Sequence, residues 1–163
     1  MWQYGYMACN RRLLLAITSA VSVAGCGLTT RSSPPAEPAP LELEIVAADR
    51  LNPDENGQSL PTVIHIYQLK SAVKLERAEF ERIYRAPGET LGADLLQTEE
   101  ITLSPGEKLR RRLEREHSAR VLAVVALFRR PTGSSWRALV ELPPPAARAK
   151  LKFLVEGYRI DKR

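Results

Sequence analysis

Cysteine is almost missing from this chain. Of 163 residues only Cys9 and Cys26 are cysteines, and both stand near the start. A disulfide-stapled scaffold and a catalytic thiol in the body of the chain are therefore excluded. Histidine is as scarce, with only His65 and His117, and the spacing of zinc ligands is absent. Aromatic residues make up 6% of the chain, too few for a base-stacking surface. The 24 Lys and Arg against 19 Asp and Glu give a mild positive excess, read mostly as solvated strand faces. No apolar run reaches the roughly 20 residues that a spanning helix needs.

What is present begins at Arg11-Arg12, followed by an apolar run from Leu13 to Val23. The run ends in Val23-Ala24-Gly25-Cys26. Two basic residues, a short apolar stretch and small residues before a cysteine resemble a bacterial lipoprotein signal. Cleavage before Cys26 would remove residues 1–25 and make Cys26 a lipid-bearing N-terminus. A plain secretory signal with an incidental cysteine is the alternative. Met7 lies nearer the arginines than Met1 does, so either could be the start. Loss of Arg11 and Arg12 trims the formal charge of +5 by two. Gly27 follows the cysteine, where an Asp would favour retention in the inner membrane. The expected address is thus the outer membrane, lipid-anchored, with the domain facing the periplasm and no nucleic-acid partner.

Residues 26–40 read as the lipidated cysteine and a tether. Pro34, Pro35, Pro38 and Pro40 among Ser, Thr, Ala and Glu favour extended polyproline II and cannot bury a core. Gly27 to Pro40 could reach up to roughly 40 Å. Residues 41–163 form the domain, with no cofactor implied. Leu41-Glu42-Leu43-Glu44-Ile45 alternates with strand period. Asn52 to Gly57 is a dense turn signal, and Val63 to Leu69 a second strand. Ser71 to Tyr84 changes to helical spacing at Val73, Phe80, Ile83 and Tyr84, with Ser71 as cap and Pro87-Gly88 as stop. A further short helical turn is expected from Thr90 to Leu96. Ile101-Thr102-Leu103 is the third strand.

Leu109 to Glu116 fits either a helix or a strand, since Leu109 and Leu113 share a face in both. Its place between a Pro-Gly turn and a strong strand favours the strand. Arg120 to Phe128 is an uninterrupted, β-branched apolar run, expected to be central and covered on both faces. Trp136 to Leu142 and Leu151 to Val155 alternate again. Seven short strands with one helical insertion between strands 2 and 3 predict an all-β fold, an antiparallel β-sandwich.

Several phrases occur in order behind the cysteine: Leu51-Asn52-Pro53-Asp54-Glu55-Asn56-Gly57, Val63 to Leu69, Leu91-Gly92-Ala93-Asp94-Leu95-Leu96, Leu103-Ser104-Pro105-Gly106-Glu107, Val124 to Arg129 and Trp136-Arg137-Ala138. Together they resemble TssJ, the outer-membrane lipoprotein family of the type VI secretion system. The chain departs from that pattern where Glu116-His117-Ser118-Ala119 stands in place of a Pro-Gly turn. The resemblance implies a transthyretin-like sandwich and a structural role. It implies a partner, the periplasmic C-terminal part of TssM, and through it the TssJ-TssL-TssM membrane complex. The expected contact is the loop between the first two strands, namely Asn52, Pro53, Asp54, Glu55, Asn56, Gly57, Gln58, Ser59 and Leu60. Alternating strand direction would gather this loop with Ser104–Glu107 and Arg130–Ser135 at one end of the sandwich, where loops on a rigid frame commonly bind.

An enzyme is the first alternative. It is opposed by two isolated histidines, the missing thiol and the absence of a serine elbow, and no catalytic residue is expected. A generic periplasmic binding module, or the pilot of another secretion system, is the second. The Arg110-Arg111-Arg112 and Arg129-Arg130 clusters raise an anionic-lipid reading. Strand alternation would split the first of them between two faces, which favours solvated surface.

Overall fold

The structure, a computed structural model, describes residues 37–163. Cys26 and most of the tether lie outside the described residues. Eight strands pack as two four-stranded sheets. They are β1 (Leu41–Leu51), β2 (Thr62–Leu69), β3 (Leu95–Leu103), β4 (Lys108–Leu113), β5 (Val121–Ala126), β6 (Arg137–Glu141), β7 (Ala149–Gly157) and β8 (Arg159–Lys162). One sheet has the order β4-β1-β7-β8 and the other β3-β2-β5-β6. The all-β sandwich with helices between strands 2 and 3 is therefore the observed fold. Most pairings are antiparallel. The exception is β1 with β7, which run parallel from Leu41↔Ala149 to Val155 beside Ala47. An antiparallel expectation built from neighbouring strands had no means of including it, because β1 and β7 lie at opposite ends of the chain.

The alternation in the sequence becomes burial. Leu41, Leu43, Ile45 and Ala47 of β1 point into the sandwich with Leu151, Phe153 and Val155 of β7. The opposite sheet meets them with Ile64, Ile66, Leu122 and Val124. Every residue of β5 is buried, as its unbroken apolar run requires. One face meets the other sheet. The outer face, with Ala123 and Val125, is buried too, and Arg137, in register with Val125, reaches the helical insertion at Ala78 and Glu76.

That insertion is three short helices, α1 (Val73–Arg77), α2 (Phe80–Arg85) and α3 (Pro87–Leu91), followed by a 3-10 turn at Gly92–Asp94. It is not one helix from Ser71 to Tyr84. Leu75, Ile83 and Leu91 are its buried residues, whereas Val73 and Tyr84 are exposed. Extended backbone at Ala78 and Glu79 resets the phase between α1 and α2. α2 ends at Arg85, just before Pro87 as expected of a stop, and Pro87 also opens α3 at the first turn, where its missing N–H has no helical partner to lose. Ser71 does not cap through N2 or N3, although its Oγ accepts the Val73 N–H at 3.3 Å. The insertion is fastened by Arg137, whose guanidinium lies over the Trp136 ring at 4.5 Å and donates to the Ala78 carbonyl at 2.6 Å.

Three further boundaries differ from expectation. The strand expected over 109–116 is found, but it runs from Lys108 to Leu113 and leaves residues 114–116 outside it. The strand expected at Ile101 begins at Leu95, so Leu95 and Leu96 are not helical. β3 is an edge strand with exposed alternate positions, which hides its period. β8 was not anticipated at all. Gly157, at φ +55°, makes the reversal, and Arg159-Ile160-Asp161-Lys162 carries one apolar residue, too few to show a period.

Candidate functional site

The pairing registers bring four loops to one end of the sandwich. β1 ends at Leu51, where the β1–β2 loop begins. β3 ends at Leu103 opposite Thr62, the first residue of β2. β5 ends at Ala126 opposite Ile64. β7 ends at Gly157 beside Leu51. The loops 52–60, 104–107 and 130–135 therefore share an end, and the unforeseen β7–β8 turn joins them.

Within the β1–β2 loop the base and the tip differ. Asn52 and Pro53 are buried, while Glu55, Asn56, Gly57 and Gln58 are exposed. The reading of this stretch as a polar turn outside the core holds for the tip and fails for the base. Asn52 takes a left-handed φ of 43°, a region that asparagine tolerates better than most residues. From there its Oδ1 accepts the Arg129 N–H at 3.0 Å, while its own N–H donates to the Gly157 carbonyl at 2.8 Å. The Tyr158 hydroxyl donates to the Pro53 carbonyl, and the Tyr158 ring stands edge-on to Phe128. Two separate segments, Phe128-Arg129 and Gly157-Tyr158, thus fix the base.

Asp54 organises the tip. Its Oδ1 accepts the N–H groups of Asn56 at 2.9 Å and Gln58 at 2.8 Å. Its backbone N–H donates to the Gln58 carbonyl at 2.9 Å, and its carbonyl accepts Gly57 at 3.1 Å. Gly57 sits at φ +82°, where a side chain would be strained. The loop closes through Leu60 N–H to the Leu51 carbonyl at 3.0 Å and Leu51 N–H to Ser59 Oγ at 3.3 Å. Glu55 reaches sideways to Arg129 at 2.8 Å and Arg130 at 3.4 Å. Its own backbone N–H, and then the Arg129 charge, hold its carboxyl below the usual range. The result is a preformed, hydrogen-bonded projection of exposed polar atoms. Preformed loops bind without the ordering cost of mobile ones.

The two histidines are not brought together. His65 lies within β2 and His117 in the turn before β5. His65 Nδ1 is 2.7 Å from the Tyr67 hydroxyl and Nε2 is 3.0 Å from Glu100. A neutral ring that accepts from Tyr67 and donates to Glu100 uses both nitrogens. Burial, and secondarily the Glu100 charge, push the Tyr67 hydroxyl up to about 12. The Glu116–Ala119 turn, the point of departure from the family pattern, closes through Ala119 N–H to the Glu116 carbonyl at 3.0 Å. Among the described residues, no three His, Cys, Asp or Glu side chains gather as a metal site.

At the opposite end the tether meets the fold. The Ala39 N–H donates to the Pro145 carbonyl at 2.7 Å. Arg115, which is 6% exposed, holds that segment by donating to the carbonyls of Pro143, Pro144 and Ala119. Burial lowers its guanidinium's basicity. Nothing in the composition marked Arg115 as structural.

Comparison with known proteins agrees with this architecture. Residues 39–157 match the family described as type VI secretion lipoprotein, VasD, EvfM, TssJ. The type VI lipoprotein TssJ1 from Pseudomonas aeruginosa is 27% identical, with 77% of this chain and 95% of that one covered at a TM-score of 0.71. A chain of a type VI membrane complex is 23% identical, over 76% of this chain and 97% of that one, at 0.70. A chain in a structure described as the type VI protein TssM C-terminal domain, from EAEC, is 21% identical over 76% and 97%, at 0.67. No curated protein matches the sequence.

Proposed function

The chain belongs to the type VI secretion lipoprotein family that includes TssJ, and from that premise we propose that it is the outer-membrane lipoprotein which holds TssM at the periplasmic face. Cys26 carries the lipid, residues 27–40 form the tether, and the domain faces the periplasm. The exposed tip Glu55–Gln58, with the neighbouring loops, receives the periplasmic C-terminal part of TssM. TssM in turn links it to the rest of the TssJ-TssL-TssM complex. No catalytic step is assigned; the role is structural.

The observation that carries this reading is the braced β1–β2 loop. It projects polar atoms at the end of the sandwich farthest from the tether. β1 runs from Leu41, where the tether joins, to Leu51 at the loop, about 3.3 Å per residue, so the junction with the tether and the proposed contact are separated by the length of this strand. A protein that grips a membrane at one end and a partner at the other needs that arrangement. The similarity to a chain found in a structure of a TssM C-terminal domain supports the choice of partner.

The test replaces Glu55–Gln58 with a two-residue turn while keeping Asn52, Pro53 and Asp54. The variant is expected to stay folded and to lose binding to the periplasmic C-terminal part of TssM in a calorimetric titration. Wild-type affinity in a folded variant would move the contact to another surface.

A further inference from the structure

The outer face of the β4-β1-β7 sheet carries rungs of charge that no single sequence segment displays. Glu42 of β1 is flanked in register by Arg112 of β4 and Lys150 of β7. Two residues on, Glu44 is flanked by Arg110 and Lys152. Lys108 lies opposite Val46 on the same face. Glu44 is recessed, with its side chain 19% exposed, and it receives Lys108 at 3.1 Å, Arg110 at 2.9 Å and Lys152 at 3.3 Å. The bases stand outside it: the Arg110 side chain is 73% exposed, Lys152 54% and Lys150 82%. Arg112 is exposed and makes no ion pair among the described residues. Glu42 is itself 56% exposed and pairs with Lys150 at 3.6 Å, so of the two acids only Glu44 lies beneath the bases. Five bases, Lys108, Arg110, Arg112, Lys150 and Lys152, stand against these two acids and leave the face cationic.

Arg111 is separated from Arg110 and Arg112 by strand alternation. It turns to the sheet edge and pairs with Glu99 at 3.5 Å. The split expected of the arginine cluster is real, but β7 supplies Lys150 and Lys152 to complete a basic face. A shallow groove of about 620 Å³ runs over these residues.

We infer that this face docks against anionic phospholipid headgroups of the membrane in which the chain is anchored. Two observations choose that occupant. The first is charge: the groups in excess are ammonium and guanidinium, and the latter matches phosphate oxygens in a planar fork. The second is position. The rungs at Glu42 and Glu44 lie one and three residues beyond Leu41, where the tether joins β1. At about 3.3 Å per residue they fall within about 10 Å of that point. That distance is close to the screening length at physiological salt. A tether that draws Leu41 toward the bilayer brings the bases inside the range of its surface potential, and tethering raises their effective concentration there. Docking on this face lays the sandwich against the membrane and sets the direction in which the β1–β2 loop points. The inference rests on the proposed anchoring for its biological setting, although the contact itself is testable without lipid.

The experiment uses residues 26–163 bearing Cys26→Ser, so that no acyl chain contributes. This chain contains the whole described domain, residues 37–163. Co-sedimentation is measured with phosphatidylcholine vesicles and with vesicles that also contain phosphatidylglycerol. Partition is expected to rise about tenfold with the anionic lipid and to vanish at about 1 M salt, where the screening length is about 3 Å. R112E/K150E is expected to return it to the phosphatidylcholine level without moving the denaturant midpoint. A second double variant, R112Q/K150Q, removes charge without reversing it and should fall between. Equal partition to the two vesicle types, or variants that bind anionic vesicles as the wild type does, would overturn the inference. So would a variant that keeps vesicle binding but loses TssM, because the face would then belong to the protein partner. Loss of the tip variant's effect on TssM leaves the vesicle result standing, so the two proposals fail separately.

Discussion

Single residues in this domain act through what they brace more than through any chemistry of their own. Asn52 combines a left-handed backbone with a side chain that satisfies the Arg129 amide. Asn52→Ala should strand that amide and strain the turn, lowering stability by about 1–3 kcal/mol. A denaturant midpoint equal to wild type would show that the bond contributes nothing. Tyr67 is a second case. Its hydroxyl is held up at about 12 against an ordinary 10, so the fold keeps it neutral after the unfolded chain has ionised. Its contribution is complete below about pH 10 and is lost as pH rises toward 12. Between those limits wild type should lose midpoint faster than Tyr67→Phe; parallel curves would refute the assignment. Asn52 was legible as a turn former from its neighbours Pro53, Asp54 and Gly57. Its burial was not, since it depends on Gly157 and Arg129, far along the chain. Arg115 was illegible for the same reason: its partners are backbone carbonyls, which every sequence has.

At the level of elements, what could be read was whatever announced itself by period. β1, β2, β5, β6 and β7 carry alternating or continuous apolar residues over five positions or more, and all five are where the pattern put them. β8 and the first half of β3 are edge segments. One side of an edge strand faces solvent, so pairing rather than patterning defines it. The helical insertion was legible as helix, but its division was not, because the break at Ala78-Glu79 has no Pro or Gly to mark it. The most consequential miss is β8, since the β7–β8 turn delivers Tyr158 to the base of the candidate contact loop. Tyr158→Phe keeps the ring against Phe128 and removes only the bond to the Pro53 carbonyl. The expected cost is about 0.5–1.5 kcal/mol, concentrated at the loop. Hydrogen exchange at the amides of Asn52 and Leu60 should quicken relative to that of β5. Uniform acceleration across the sandwich would mean that the bond supports the whole fold and not the loop.

At the scale of the whole molecule, the proposed role puts a chain without disulfides in its body between a membrane and a partner. Its cohesion is carried by the core around β5 and by the parallel β1–β7 pair, which ties the chain's first strand to its seventh. That pair also fixes the polarity of the domain, with the tether at Leu41 and Ala149 and the loop at Leu51 and Gly157. On the proposed reading the anchor joins at one end and the contact lies at the other, so removing the anchor should leave the contact intact. Cys26→Ser is expected to abolish fatty-acid labelling and to bring the protein out of the membrane fraction on a salt wash. It should also stop secretion, yet leave the purified domain binding TssM with unchanged affinity. The salt dependence matters, because a basic face gives only a screened, reversible attachment, whereas buried acyl chains add about 0.8 kcal/mol per methylene and do not respond to salt. Equal labelling of the variant would place the lipid elsewhere or nowhere. A variant that binds TssM more weakly in solution would show that the tether end and the loop end are coupled, and that the sandwich transmits strain along β1 instead of separating its two ends.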